Sequence, residues 1–449
     1  MRPLRRCRLG GTADYCVRQL TLQVLHGRVC RETPCPTTTQ GTHMKLTTKV
    51  FLALLIGAVA GATLNSLGQH EGRLMEALDT GGKLFLRLLK MVIVPLIFTS
   101  IVHAVAGLGD LRKLTRIGAR TFVYYFTTTG IAVFLGLAAV NLARPGVGAD
   151  LGLKGVPERL QEQGPPSVSD LLLRVIPENP VDALARTDVL QIIFFALVLG
   201  VALGMLGAKG QRTREVIEEL NDAILLIIGW VLKLVPYGVA LLMTRALGRA
   251  GLDVFLPLLK YLGTVIGALA VHALLVYPFA LIFLAKVKPL QFFRGVSEAL
   301  VTAFSTSSSS ATLPVTMRCL QENVGVSERV SFFVLPIGAT VNMDGTALYE
   351  AVAAMFIAQA YGIDLTLTQQ LLVFLTATLA AIGAAGIPEA GLFTMVIVLN
   401  AVGLPTEGIG LILAVDRILD MCRTTVNVLG DTVGATLVAR LEGELNAPD

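Results

Sequence analysis

Between residues 409 and 441 an otherwise apolar stretch carries Asp416, Arg417, Asp420, Arg423, Thr424, Asn427 and Asp431. At about 100° per residue, Asp416, Asp420, Arg423, Asn427 and Asp431 fall within a helical wedge of about 60 to 80°, so one inward face can hold them all. That face carries both signs of charge. The Arg423 guanidinium can hold a carboxylate bidentately, and the Asp420 carboxylate can take an ammonium. An amino acid with an acidic side chain satisfies both. A structural ion-pair network, with Asp420 and Arg423 neutralising each other at i,i+3, is the plainer use of the same residues. Charges at the centre of a bilayer cost about 2.5 to 3.5 kcal/mol each, and ionisable groups there are functional by default.

The α-carboxylate of such a ligand needs donors too. Residues 305–310, Ser-Thr-Ser-Ser-Ser-Ser, interrupt the apolar segment 292–317 and offer hydroxyls together with a re-entrant helix N-terminus. Two further breaks follow, Asn342-Met343-Asp344-Gly345-Thr346 inside 330–360 and Gly383-Ala384-Ala385-Gly386-Ile387-Pro388-Glu389-Ala390-Gly391 inside 370–402. Backbone that leaves a helix at membrane depth must be buried in protein or line a wet cavity, because lipid offers no hydrogen bonds. Interrupted segments of this kind point to the binding site of a transporter. Asp344 and Asp431 have no basic neighbour in sequence. Carboxylates, Asn side chains and freed carbonyls make hard-oxygen sites that suit Na⁺, while protonated or water-bridged aspartates are the alternative. Glu350 lies about one helical turn beyond Thr346. A carboxylate buried alone there could carry a proton, or serve as a hydrogen-bonded structural acid.

The elements that position these residues are read from composition. Of 449 residues, 54% are hydrophobic and only 15% charged, and the mean hydropathy is +0.69. This excludes an ordinary soluble enzyme. Apolar stretches of membrane-spanning length recur at 50–68, 85–108, 119–142, 189–207, 223–245 and 254–285, so six helices are expected as a minimum before the broken segments begin. Basic residues gather in 110–120, 209–214 and 286–294, which the positive-inside rule assigns to the cytoplasm together with Lys45 and Lys49.

The net charge of +5 resides before Met44, where seven Arg face two acids. That is no clustered phosphate-binding face, so nucleic acid is not an expected partner. Four of the six cysteines (Cys7, Cys16, Cys30, Cys35) fall in the same opening segment without a disulfide framework. With His26 and His43 they are not expected to form a zinc site. Residues 1–43 are expected to be a non-structural extension.

From Lys45 to Arg440 the chain resembles the dicarboxylate/amino acid:cation symporters, the family of the excitatory amino acid transporters and the archaeal aspartate transporters. The likeness is dense from Ala303 on, through the serine-rich motif to Pro314, Asn342 to Thr346, Gly383 to Gly391, and Asp416 to Asp431. The resemblance implies an all-α polytopic membrane protein with eight transmembrane helices, two re-entrant helical hairpins and inverted repeats. Residues 44–290 would supply helices 1–6, mostly scaffold and trimerisation, with helices 3 and 6 joining the mobile part. Residues 291–441 would be the transport core, and 442–449 a tail. It further implies a homotrimer in the inner (plasma) membrane with both termini cytoplasmic, importing glutamate or aspartate by an elevator motion. The coupling ions implied are Na⁺, with H⁺ and K⁺ as further candidates, and no organic cofactor is expected.

By motif match, substrate contacts would be Ser308, Ser309, Thr346, Ile387, Gly391, Asp420, Arg423, Thr424 and Asn427. One sodium site would use Gly338, Asn342, Asn427 and Asp431, and another Tyr125, Thr128, Thr129, Asn342 and Asp344. A third would use Thr340 with Ala381, Ile382 and Ala384. Glu350 matches the glutamate tied to proton coupling in the animal members. Ser307 stands where archaeal members have arginine, and Arg417 where the animal acidic-amino-acid carriers have theirs. Glu389 departs from the Gln or Gly usual at its position.

A C4-dicarboxylate:cation symporter is the alternative within the family and would dispense with an ammonium partner. An intramembrane serine hydrolase lacks support, because no Gly-x-Ser-x-Gly elbow or nearby His accompanies the serines. An anion channel is the remaining alternative, and would pass current without accumulating substrate.

Overall fold

The computed structural model describes residues 46–68, 72–106, 116–149, 176–250, 255–382, 384, 386 to 446. The N-terminal extension with its four cysteines, the basic loop at 107–115, the stretch 150–175 and the last three residues lie outside them. Described residues are nearly all helical. No strand forms among them, only an isolated antiparallel bridge between Val326 and Leu445.

The first part runs α1 (Leu46–Ser66), α2 (Arg73–Ala106), α3 (Arg116–Ala143), α4 (Pro180–Arg186), α5 (Val189–Met205), α6 (Gln211–Leu232), α7 (Val235–Ala250) and α8 (Phe255–Val271), the last continuing through π-helical turns around Pro278 to Ala285. The second part runs α9 (Pro289–Thr306), α10 (Ser309–Cys319), α11 (Glu328–Val341), α12 (Asp344–Ala360), α13 (Leu367–Ile382), α14 (Ala390–Ala401) and α15 (Ile409–Glu442).

Among the described residues four helices are long and apolar enough to cross a membrane, and a fifth if one bent pair counts as a single span. Two of the six expected spans therefore differ. The stretch 223–245 is no straight helix, because α6 and α7 meet at 49° across residues 233–234. Pro236 lies at the second position of α7, where its missing N–H and fixed φ suit a helix start and would break a helix interior. The stretch 189–207 yields only the 17 residues of α5, about 25 Å at 1.5 Å per residue, short of a hydrocarbon core of about 30 Å.

Polarity is turned inside out relative to a water-soluble protein. On α8 Leu256, Leu259, Leu274, Leu275, Phe279 and Phe283 are exposed, while Asp344, Glu350, Asp416, Asp420, Arg423 and Asp431 are buried. An apolar surface of this extent is at home in lipid. The backbone of α15 ends against its neighbours. Arg440 Nε donates to the Ala285 carbonyl at 2.7 Å, and Arg120 Nη1 donates to the Leu441 carbonyl at 2.5 Å, so cationic side chains meet the carbonyls of helix C-termini.

Candidate functional site

The three expected breaks are present, and each puts a helix N-terminus beside α15 or beside another break. The serine run ends α9 at Ser307, whose φ of 51° lies in the left-handed region. Ser308 then caps α10, its Oγ accepting from Ala311 N at 3.2 Å. The same hydroxyl donates to the Gly386 carbonyl at 2.6 Å, and Ser310 N donates to that carbonyl at 3.2 Å. The first and third breaks are thus closed tip to tip. At the second break the backbone leaves helical geometry at Asn342 and Met343 before α12 begins. Asn427 on α15 meets it there. Its Oδ1 accepts from Gly345 N at 2.7 Å, and its Nδ2 donates to Thr346 Oγ1 at 3.0 Å.

One face of α15 carries the charges, as the wedge predicts, with Asp416, Asp420, Arg423, Asn427 and Asp431 all at most 3% exposed. Arg423 donates from Nη1 to Asp416 Oδ1 at 3.1 Å and from Nη2 and Nε to Asp420 Oδ1 at 2.8 and 3.1 Å. Its guanidinium also lies 4.4 Å from the centre of the Tyr349 ring, a cation–π contact in a dry setting. Asp420 Oδ2 accepts from Arg417 Nη1 at 3.2 Å and from Glu389 N at 3.0 Å. Asp420, the residue expected to take an ammonium, is paired within the protein in this state. Both of its oxygens are engaged, and the i,i+3 pairing with Arg423 exists. A ligand carboxylate that uses Arg423 competes with these partners. Glu350 is fully buried and neither carboxyl oxygen has a hydrogen-bond partner.

The residues expected to hold cations form two oxygen-rich groups. In the first, Asn342 Nδ2 donates to Asp431 Oδ1 at 2.9 Å. Tyr125 Oη donates to the Val334 carbonyl at 3.1 Å. Gly338 is required between them, since a Cβ there would lie 2.5 Å from both Asp431 Oδ1 and Tyr125 Oη. In the second, Asp344 Oδ1 accepts from Thr129 Oγ1 at 2.6 Å, and Oδ2 accepts from Tyr277 Oη at 2.9 Å. His272 Nε2 sits 3.1 Å from the same Oδ2. Asp344 thus has a basic neighbour after all, supplied by α8 from 72 residues away.

The Thr128 hydroxyl donates to the carbonyls of Tyr124 and Tyr125 within α3 at 3.1 and 3.2 Å. Thr340 Oγ1 donates to the Ile337 carbonyl at 3.2 Å. With Ile382 and Ala384 it lines a cavity of about 520 Å³, which Ser100, His103, Asn221, Asp222, Ser310 and Ile387 also border. Ala381, Ser309 and Thr424 are buried.

Sequence reading missed His272, Tyr277, Tyr349 and the backbone role of Glu389 as site residues. His272 and Tyr277 sit at i and i+5 on α8, where a π-helical turn brings them to one side. Among the signals in the sequence, only Pro278 inside an apolar span marks that turn.

The chain is 38% identical over 441 residues to the excitatory amino acid transporter 3 of Mus musculus, covering 87% of this chain and 84% of that one. It is 36% identical over 441 residues to a putative sodium-dependent excitatory amino acid transporter of Caenorhabditis elegans, covering 87% and 88%. It is 37% identical over 460 residues to the excitatory amino acid transporter 1 of Ambystoma tigrinum, covering 87% and 82%. The broken helices, the charged face of α15 and the two oxygen clusters all lie in residues 46–441, which match the model of the sodium:dicarboxylate symporter family, and the chain belongs to that family.

Proposed function

We propose that the protein is a secondary active symporter that carries glutamate and aspartate across a membrane with Na⁺. The observation that carries this reading is Arg423. A guanidinium 1% exposed is held under the tip of a broken segment, with Gly391 leaving room against it. A Cβ on that glycine would lie 2.6 Å from the Arg423 Cζ. A side-chain carboxylate of the substrate takes Arg423 when the tip lifts, and Asp420, relieved of that partner, takes the ammonium. The N-terminal ends of α10 and α12, with Ser309, Thr346 and Asn427, receive the α-carboxylate. The Asp344 and Asp431 clusters, Glu350 apart, receive the cations, since both are built from hard oxygen donors.

The reading extends to architecture. The pairs α9–α10 and α13–α14 act as two re-entrant hairpins among eight membrane helices in the plasma membrane, with both termini cytoplasmic. Residues 291–441, joined by α3 and α8, move as an elevator against a scaffold in each subunit of a trimer. Packing supports the division, because α3 and α8 lie on α12 and α15, whereas α1, α2, α5, α6 and α7 pack largely on one another. Glu350, buried beside Thr394 and Arg423, is the candidate carrier of a coupled proton.

Uptake of labelled glutamate into proteoliposomes tests the reading. It is expected to collapse without a Na⁺ gradient and in Arg423→Ala. Uptake unchanged by both overturns it. Succinate uptake that survives Asp420→Asn while amino acids fail to compete would instead favour the C4-dicarboxylate symporter.

A further inference from the structure

Glu389 stands in the turn between α13 and α14 with a φ of 62°, the left-handed region where glycine is at ease and a longer residue is uncommon. It is nonetheless 2% exposed, and its Oε2 is buried without a hydrogen-bond partner. Its backbone N–H is fixed on Asp420 Oδ2 at 3.0 Å, so the carboxyl is held where the turn closes on α15. The charged groups acting on it are Asp420, Asp416, Arg417 and Arg423, all on α15. Glu350, on α12, lies beside Arg423 and Thr394.

The four charges of α15 that act on Glu389 balance among themselves. Arg423 pairs with Asp416 and Asp420, and Arg417 pairs with Asp420, so two guanidiniums meet two aspartates. An ionised Glu389 would add one unmatched negative charge at a buried position, next to the two carboxylates. Burying such a charge without a partner is strongly unfavourable. A neutral carboxyl removes the imbalance and supplies an O–H donor to a site crowded with acceptors.

We propose that Glu389 is a proton-carrying positioning residue: the turn at residues 386–391 closes on α15 with Glu389 protonated, and releases the proton to water when it lifts. Closure takes up one proton from solution and opening returns it, on whichever side the turn opens. In a symporter this adds a proton-linked step at the gate, separate from Glu350 on α12. This coupling to transport rests on the symport reading above, whereas the link between turn closure and protonation does not.

The test compares wild type with Glu389→Gln, Glu389→Gly and Glu389→Asp in two ways. Thermal melting of the purified protein in detergent is followed from about pH 5 to about pH 9, a range that begins above the ordinary glutamate pKa of about 4.3. A group that keeps its proton in the closed fold contributes stability at low pH that is lost as pH rises. The melting temperatures of Glu389→Gln and wild type should therefore converge at low pH and separate by at least about 2 °C at high pH, with the variant higher. Glu389→Asp should follow wild type. Glu389→Gly, suited to the backbone, should follow Glu389→Gln and stands in for it if that variant fails to fold.

Sodium-driven glutamate uptake is the second readout. In the limit where closure controls the rate, wild-type uptake falls by up to about tenfold per pH unit at high pH, and both uncharged variants show a shallower fall, keeping only the dependence that Glu350 contributes. A melting difference that stays constant across pH overturns the proposal, even where uptake is robust. A difference that opens with pH while no protein takes up glutamate supports the protonated turn and overturns the symport reading instead.

Discussion

Gly391 and Arg423 lie in direct contact across the break before α14: a Cβ added to the glycine would sit 2.6 Å from both Cζ and Nη1 of the guanidinium. The backbone of α14 therefore forms one wall of the arginine's site, and that wall has no room for even one carbon. Glycine here is a requirement of the close approach, not of backbone freedom, because α14 is helical at this point.

Gly391→Ala is expected to push the guanidinium aside by about 1 Å, a misplacement that costs on the order of tenfold to a hundredfold in a site built on orientation. The loss should appear as a raised KM for glutamate in proteoliposome uptake. An unchanged KM would show that Arg423 does not meet substrate from this side.

Asp416→Asn removes one of the two carboxylates that hold Arg423, and leaves a buried guanidinium short of charge. Breaking a buried pair from one side costs about 3 to 5 kcal/mol. Thermal melting should fall well below wild type. A double-mutant cycle with Arg423→Met should recover part of the loss, since both charges then leave together.

Asp344 is held by Thr129, Tyr277 and His272 from two other helices. Tyr277→Phe deletes one donor while keeping the ring, and an acceptor left short in a buried site costs about 1 to 3 kcal/mol. Stability should fall by that amount. If a cation occupies this group during transport, the variant should also need more Na⁺ for half-maximal uptake.

Asn342→Ala removes the donor to Asp431 and, with it, a candidate cation oxygen. Half-maximal uptake is expected at a Na⁺ concentration raised by on the order of tenfold, equivalent to about 1.4 kcal/mol. Flux at saturating Na⁺ should change less. A Na⁺ dependence equal to wild type would remove Asn342 from the cation path.

Ser308→Ala deletes an N-cap and a bond to the Gly386 carbonyl at the tip-to-tip contact. Losing such a cap costs about 1 kcal/mol. Amide hydrogen exchange at the start of α10 should speed up selectively, and the rest of α15 should keep its protection.

Much of this was legible from residue order. The charged face of α15 follows from helical spacing, and all five of its wedge residues are buried together as that spacing requires. The three breaks announce themselves as polar, glycine-rich or proline-containing interruptions in apolar runs. Two spans were less legible, because hydropathy alone reads through Pro236 and overstates α5. His272 was unreadable as a partner of Asp344: a lone histidine in an apolar span carries no pointer to an acid far along the chain.

The sequence by itself determined which residues are too costly to bury without a purpose, and on which helical face they stand. Periodicity and local backbone chemistry are short-range properties, so they survive in a one-dimensional reading. Only the tertiary structure decided how those charges are spent. It set Asp420 between two arginines, brought His272 and Tyr277 onto Asp344, joined Ser308 to Gly386, and closed Glu389 into a site whose charges already balance. Each of these depends on which helices pack together, and side chains distant in the chain become partners only when the burial of the apolar segments fixes that packing.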